Sequence, residues 1–215
     1  MLLLPGSDRG MGDHVRLILA SASDARLRTL RRAGLDPEVI VSGVAEDVER
    51  ADGVRELTAR LAQLKAEAVS ARIDHGPNTT VVIGCDSMLE LDGMGYGKPE
   101  TPVEAVRRWQ QMSGRFGLLH TGHCVILHEG RAISTRTAAA STLVHFAELA
   151  DEDIEAYVAS TEPLQVAGGF TIDGLGGPFI TGIEGDHHNV VGLSLPLLRS
   201  MLSELGIWWP SLWRI

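Results

Sequence analysis

Two long extended runs rich in β-branched residues, at 117–128 and 131–146, constrain the fold most. They meet at Glu129-Gly130, a pattern that predicts a long antiparallel hairpin. Around it, apolar patterns of strand and helix spacing alternate along the chain. Strands are predicted at 15–20, 38–42, 80–86 with continuation over 88–91, 170–172 and 179–183. Helices are predicted at 24–34, 54–73, 102–112, 151–159 and 196–205. The sequence therefore predicts an α/β fold with a mixed, twisted sheet.

Helix ends carry recognisable capping signals. Ser23 suits the N-cap of the first helix, and Gly34 is placed to stop it. Thr101 and Glu104 form a capping box, with Pro102 at the first helical position between them. The glycine-broken stretch 93–99 is predicted to be a loop.

Length and composition predict one compact unit. With 215 residues, 44% of them hydrophobic, the chain can bury one core or two lobes that share a cleft. We expect residues 1–14, rich in Gly and Asp, to be a flexible extension and 15–215 to be a single domain. The 28 acidic residues outnumber 19 Lys and Arg, for a formal charge of −9 that disfavours nucleic acid as a partner.

Several classes of protein are disfavoured. Two cysteines, Cys85 and Cys124, lie in apolar runs and predict inert packing residues in a reducing compartment. The apolar runs fall short of the roughly 20 residues of a membrane span, so we expect a cytoplasmic protein with no membrane association. Neither a P-loop nor a nucleophile-elbow motif occurs, and His187-His188 lacks a third ligand at zinc-like spacing.

The segment SASDAR, which follows the first predicted strand, is the first candidate site. A helix N-terminus with free N–H groups, flanked by the hydroxyls of Ser21 and Ser23, is suited to bind an anion. Arg26 in the first turn would add a forked contact to a phosphate. The alternative is that the serines only cap the helix and Arg26 is a solvated charge.

Asp86 is the second candidate, because a buried strand delivers its carboxylate to the strand end, where α/β proteins place ligands. A carboxylate there can bind Mg²⁺ or activate water, although an ordinary strand-ending turn is the alternative. Lys98, in GYGKP, is presented for a point contact with phosphate, unless that stretch is a plain surface turn. Glu46 and Glu49 are solvated loop acids, or one of them completes a metal shell with Asp86.

Taken in order, the motifs resemble the Maf family of nucleoside triphosphate pyrophosphatases, once known as septum-formation proteins. The segments that carry the resemblance are LILASASDARLRTL at 17–30, EVIVSGVAED at 38–47, LAQLKA at 61–66, VVIGCDSMLELDG at 81–93, YGKP at 96–99, MSGR at 112–115, TG at 121–122 and EPLQVAGGFTIDGLGGPFITGIEGDHHNVVGLSLPLL at 162–198. Each is weak alone, but together they span nearly the whole chain from Val15 to about Leu205.

The resemblance implies two lobes around a deep cleft, a fold similar to inosine triphosphate pyrophosphatases, and a homodimer. It implies a nucleoside triphosphate substrate and a divalent metal, Mg²⁺ or Mn²⁺. The site residues that it implies fall into three groups. Catalytic residues are Asp86, Glu46, Lys65 and Lys98; metal ligands are Asp86 and Glu46; substrate-binding residues are Ser21, Ser23, Arg26, Ser113, Arg115 and Thr121.

The sequence departs from the family pattern at three positions. Asp24 stands where many members have proline, which leaves the helix cap intact. Ala45 replaces an acid beside Glu46, so the number of metal ions is open. Asp173 replaces a frequent glutamine in a segment expected to border the base, so pyrimidine triphosphates such as dTTP and UTP and modified nucleotides such as 7-methyl-GTP all stay open.

Two other functions compete with the enzymatic one. One is a non-catalytic regulator of septum formation, as the older family name suggests. In that case the effects on cell division would not depend on catalysis. A nucleotide- or RNA-binding module is the other alternative, and the acidic balance and the lack of a basic aromatic face disfavour it.

Overall fold

The computed structural model describes residues 15–44, 52–74, 76 and 78–214. The strands within these residues are β1 (Arg16–Leu19), β2 (Glu38–Val39), β3 (Thr80–Leu91), β4 (Met94–Tyr96), β5 (Phe116–Glu129), β6 (Ala132–Phe146) and β7 (Ile180–Glu184). They form one mixed sheet in the order β2-β1-β3-β5-β6-β7, with β4 paired to β3 beside this path. The first pairings, of β1 with β2 and β3, are parallel, and the others are antiparallel. The predicted mixed-sheet α/β class is therefore confirmed.

The helices lie on both faces of this sheet. They are α1 (Asp24–Arg32), α2 (Val54–Ser70), α3 (Pro102–Met112), α4 (Asp151–Ala159), α5 (His187–Val191) and α6 (Leu195–Glu204). Ser23 caps α1 and Thr101 caps α3, each by accepting a hydrogen bond from a first-turn N–H, as their sequence signals predicted. Within the described residues, no helix is long and apolar enough to span a bilayer.

The long strands pass through two lobes. In one lobe, alternate residues of β3 such as Ile83 pack against α1 and α6, and the opposite face, including Val82, packs against α2. In the other, the distal part of β3 packs with Trp109 of α3 and Tyr157 of α4 around a second core. A cleft of about 610 Å³ is lined from both lobes.

Three predicted elements differ from the observed ones. The expected loop at 93–99 contains β4, because Asp92 and Gly93 both adopt positive φ (51° and 77°) and so form a tight hairpin turn. The strand expected at 38–42 is only Glu38–Val39. The segment 170–172 is not a strand; instead, one-turn 3₁₀ helices flank it, at Glu162–Gln165, Ala167–Gly169 and Gly177–Phe179.

Two glycines set the distance between α2 and the sheet. A Cβ on Gly84 of β3 would lie 2.2 Å from the Ala62 carbonyl oxygen, and one on Gly122 of β5 would lie 2.1 Å from the Thr58 carbonyl oxygen. Such distances leave no room for any side chain, so the helix backbone rests directly on the strands. This contact fixes the height of every α2 side chain above β3.

We predict that Gly122→Ala destabilises the fold, because the new methyl group must push α2 away from β5. Overpacking of this kind costs about 2 kcal/mol, which corresponds to a fall in Tm of roughly 4–8 °C for a chain of this size. Gly182→Ala is the matched control, since a Cβ there meets only the His145 ring, at 3.9 Å. Equal melting temperatures for the two variants, measured by calorimetry, would contradict this account of α2 packing.

Candidate active site

The cleft gathers residues that are far apart in the sequence. Its lining includes six of the predicted site residues: Ser21, Ser23, Arg26, Lys65, Asp86 and Lys98. They come from the β1–α1 junction, from α2, from β3 and from the stretch after β4. The convergence that the sequence motifs implied is therefore present in the fold.

Asp86 lies at an opening in the sheet, although not at the end of its own strand as expected. β3 runs on to Leu91, but its parallel neighbour β1 stops at Leu19, opposite Ile83. Beyond that point, one edge of β3 faces the cleft. The prediction that Asp86 ends its strand is therefore wrong. The strand continues because β3 stays hydrogen-bonded to β5 beyond Asp86 and then also to β4.

Asp86 and Lys65 form an ion pair. Asp86 shares a face of β3 with Gly84, where α2 lies closest, and Lys65 Nζ is 2.5 Å from Asp86 Oδ1. The side chains of Lys65 and Asp86 are only 12% and 8% exposed, so this attraction is screened less than that of a surface pair. The pair places a carboxylate and an ammonium group together on the cleft wall.

Arg26 links the start of α1 to β3 and to the segment before α6. Its guanidinium donates to Ser21 Oγ (3.0 Å), the Cys85 carbonyl (2.9 Å), Ser87 Oγ (3.0 Å) and the Gly192 carbonyl (2.8 Å). An arginine has five N–H donors, so these four bonds leave one for a ligand. Arg26 therefore organises this end of the cleft more than it offers the forked phosphate contact that its position in SASDAR predicted.

The other cleft walls come from irregular segments. Lys98 is exposed at the rim, and the other walls include residues of the segments 41–44 and 165–173. Glu46 and Glu49, the acids predicted to assist Asp86, lie outside the described residues. The residues that precede them, Val41–Val44, do line the cleft.

Three predicted substrate-binding residues lie away from the cleft surface. Thr121 is fully buried beneath it, where its hydroxyl is 2.9 Å from Ser87 Oγ. Ser113 ends α3 and accepts a hydrogen bond from the Leu149 N–H, while Arg115 pairs with Asp92 beside a separate cavity of about 280 Å³. The geometry thus gives Thr121 a supporting place and brings neither Ser113 nor Arg115 to the cleft.

Two polar residues of the site had no clear sequence signal. Ser87 follows Asp86 directly and points to the opposite face, where it meets Arg26 and Thr121. His123 is fully buried, with Nδ1 3.0 Å from the Thr121 carbonyl oxygen and Nε2 accepting from the Ser194 N–H at 2.9 Å. Because Nε2 faces a donor, the proton belongs on Nδ1 and the ring is neutral.

Both cysteines are buried free thiols. Burial raises the pKa of the Cys85 thiol to about 12 and that of Cys124 to about 11, so neither is a thiolate at neutral pH. The prediction that both are packing residues agrees with their positions in two separate cores.

A metal would find a sparse set of protein ligands in the described part of the chain. No group of three or more His, Cys, Asp or Glu side chains suited to hold a metal ion occurs there. Mg²⁺, however, usually keeps several waters and takes one or two carboxylates plus substrate phosphates. The single carboxylate of Asp86, beside a helix N-terminus suited to phosphate, fits that mode of binding.

Comparison with known proteins places the chain in a family. Residues 16–205 match the family described as Maf-like protein, so the chain belongs to the Maf-like family. Proteins named nucleoside triphosphate pyrophosphatase are similar over most of their length. That of Salinispora tropica is 53% identical, covering 93% of this chain and 88% of its own. Those of Streptomyces coelicolor and Nocardia farcinica are 55% and 50% identical, each covering 92% of this chain and 94% and 96% of their own.

Among solved structures there is a more distant similarity. The Staphylococcus aureus Ham1 protein matches with a TM-score of 0.43 and 16% identity, covering 88% of this chain and 99% of that chain. That similarity is too low to support an inference about the cleft.

We predict that His123 makes the fold less stable in mild acid. Burial, with Arg26 nearby, lowers the pKa of His123 from 6.5 to about 4. Between these two pH values His123 is protonated in the unfolded chain but neutral in the folded chain. The free energy of unfolding therefore falls as the pH drops from about 6.5 towards 4. A shift of this size corresponds to a loss on the order of 3 kcal/mol at the acid end.

Urea unfolding measured across this pH range tests the prediction. His123→Gln, which cannot be protonated, should show a flatter pH dependence than the wild type, even if its stability at pH 7 is lower. His187→Gln is the control, because His187 is exposed. A pH dependence unchanged by His123→Gln would show that the buried imidazole is not responsible.

Proposed function

We propose that this protein hydrolyses nucleoside triphosphates to a nucleoside monophosphate and pyrophosphate, with water attacking the α-phosphorus. The observation that carries the proposal is the meeting of Arg26, Lys65, Asp86 and Lys98 on one cleft. Several relatives about 50% identical over most of the chain bear the name nucleoside triphosphate pyrophosphatase, which supports the same activity.

The charge of the cleft suits a polyphosphate better than the charge of the whole chain does. The formal charge of the protein is −9. Among the described residues of the cleft lining, the cations outnumber the anions: Arg26, Arg28, Lys65 and Lys98 against Asp24, Asp86 and Asp173. Local charges govern the potential inside a cleft, so a substrate with about four negative charges is attracted there.

The residues divide the chemistry between them. Asp86 positions the attacking water and accepts its proton, and Lys65 holds that carboxylate in place through the 2.5 Å ion pair. The N–H groups at the start of α1 and the remaining donor of Arg26 bind phosphate oxygens. Lys98 neutralises charge that develops on the departing pyrophosphate. No covalent intermediate with the enzyme forms, since water attacks directly.

A divalent cation, Mg²⁺ or Mn²⁺, completes the proposed site, with Asp86 and Glu46 as its protein ligands. When bound, it would neutralise phosphate charge and polarise the scissile phosphoanhydride. Ala45, in place of an acid, limits the carboxylates available for a second ion.

The wall formed by Phe170, Thr171, Ile172 and Asp173 is proposed to face the base. Pyrimidine nucleotides and modified purine nucleotides are the two candidate classes of substrate for this wall. We extend the proposal to a cytoplasmic homodimer that removes unwanted nucleotides from the pool. A role in cell-division arrest would be separate from catalysis if it survived the loss of Asp86.

A screen for pyrophosphate release tests the activity. Normal and modified nucleoside triphosphates, including dTTP, UTP and 7-methyl-GTP, are incubated with Mg²⁺, Mn²⁺ or Co²⁺ and with EDTA. We expect hydrolysis of at least one triphosphate, abolished by EDTA, and in ¹⁸O-water the label should enter the monophosphate. Label in the pyrophosphate would place the attack elsewhere, and silence across the whole panel would refute the activity.

We predict that Asp86→Asn lowers kcat about a hundredfold or more, because the amide cannot accept the proton of the attacking water. Asp36→Asn is the control, as its carboxylate pairs with Arg31 on the surface. Steady-state pyrophosphate release measures both. Near wild-type turnover by a folded Asp86→Asn protein would remove Asp86 from the mechanism, and division arrest retained by this variant would favour the regulatory function.

A further inference from the structure

Arg108 of α3 is a buried cation that the proposed mechanism does not use. Its exposed fraction is 4%, and its guanidinium lies 4.9 Å from the centre of the Tyr96 ring. Nη2 pairs with the Glu104 carboxylate one helical turn earlier. Burying a guanidinium costs free energy unless well-placed hydrogen bonds compensate for the lost water. The other hydrogen bond of this guanidinium therefore indicates what the burial achieves.

That remaining contact is to the residue before Lys98. Arg108 Nη1 donates to the Gly97 carbonyl at 2.6 Å. The same carbonyl accepts the Gly168 N–H at 3.0 Å. A single oxygen therefore joins α3, the backbone that presents Lys98, and the turn at 168–169.

The next residues repeat the connection. Trp109 Nε1, adjacent on α3, donates to the Gly169 carbonyl at 2.8 Å. Pro99, on the other side of Lys98, packs closely on Gly169. A Cβ added to Gly169 would lie only 3.1 Å from the Pro99 ring. Lys98 is thus flanked by Gly97 and Pro99, both fastened to the 168–169 turn.

This turn separates residues of the cleft wall. Ala167 precedes it, Phe170 follows it, and the lining continues to Asp173. Gly168 and Gly169 both have positive φ, 75° and 77°, and a Cβ on Gly168 would meet Leu89 at 2.8 Å, so the turn is held tightly. The rim that carries Lys98 and the wall proposed to face the base share one set of contacts.

We propose that Arg108 is a positioning residue for Lys98: its bond to the Gly97 carbonyl, which the 168–169 turn shares, sets where the lysine meets the phosphates. The proposal rests on the proposed function, in which Lys98 contacts the departing pyrophosphate. The forked guanidinium is required, because a lysine at 108 keeps the charge but cannot bind Gly97 and Glu104 in the same geometry.

A double-mutant cycle tests this role. Arg108→Lys should lower kcat/KM for the best triphosphate about tenfold to a hundredfold, as expected from a small displacement of Lys98. In a Lys98→Met background the same change should cost less than about twofold, since the residue through which it acts is gone. In a Lys65→Met background it should keep its full effect. A merely structural role would lower activity equally in all three backgrounds and so overturn the proposal.

Controls keep the outcome interpretable. Arg107→Lys makes the same change one residue away on the exposed side of α3 and should leave activity and Tm unaltered. If Arg108→Lys does not fold, Glu104→Gln weakens the hold on Arg108 from a half-exposed position. It should show a smaller loss, again absent in the Lys98→Met background. A full-activity Glu104→Gln protein, beside an unfolded Arg108→Lys, would overturn the proposal.

Binding separates this inference from the proposed activity. If the wild type hydrolyses no triphosphate, the proposed function fails, and the cycle is read instead from the affinity for inorganic tripolyphosphate by calorimetry. We expect Lys98→Met and Arg108→Lys each to weaken binding, with no further loss when combined. Unchanged affinity in Arg108→Lys, or fully additive losses, would refute the positioning role by itself.

Discussion

The ion pair between Lys65 and Asp86 depends on backbone packing more than on the two side chains. Lys65 reaches the carboxylate at 2.5 Å because α2 rests directly on Gly84 and Gly122. A wider separation would leave both charges poorly solvated and poorly paired, which is the costly arrangement for groups this buried. The geometry of this ion pair is therefore set by the absence of two side chains in the sheet below the helix.

The opposite face of β3 is organised by Arg26 in a complementary way. Asp86 points to α2 and the next residue, Ser87, points to Arg26, so adjacent positions of one strand connect the cleft to helices on both sides of the sheet. His123 and Thr121 on β5 then secure the segments that Arg26 contacts. The cleft floor is thus a polar layer between the apolar core of one lobe and that of the other.

Sequence patterns predicted most of the regular elements and six of the residues that line the cleft. The N-cap serine, the capping box of α3 and the long hairpin β5–β6 are local signals, and each appears as predicted. The turn at Asp92-Gly93 was missed because Gly93 was assigned to a glycine-rich loop and Asp92 to no element. The place of Asp86 was only partly predicted, since the opening beside it depends on where a different strand, β1, ends.

Long-range polar contacts were beyond sequence reasoning. Nothing adjacent to Arg26 in the sequence indicates that four acceptors, three of them more than fifty residues away, engage its guanidinium. His123 likewise looks like any polar residue in a strand until Ser194 is found beside its ring. Arg115 and Ser113 belong to a motif of the family, yet their contacts are with Asp92 and the Leu149 N–H.

The direct contact of α2 with Gly84 and Gly122 limits how the substrate specificity of such a protein can evolve. Because backbone meets backbone there, exchanging side chains cannot raise or lower the helix by small steps. Adaptation to a new nucleotide is therefore expected in the side chains of the irregular walls, such as Phe170 and Asp173. The fold combines a floor fixed by backbone packing with walls whose side chains are open to evolutionary change.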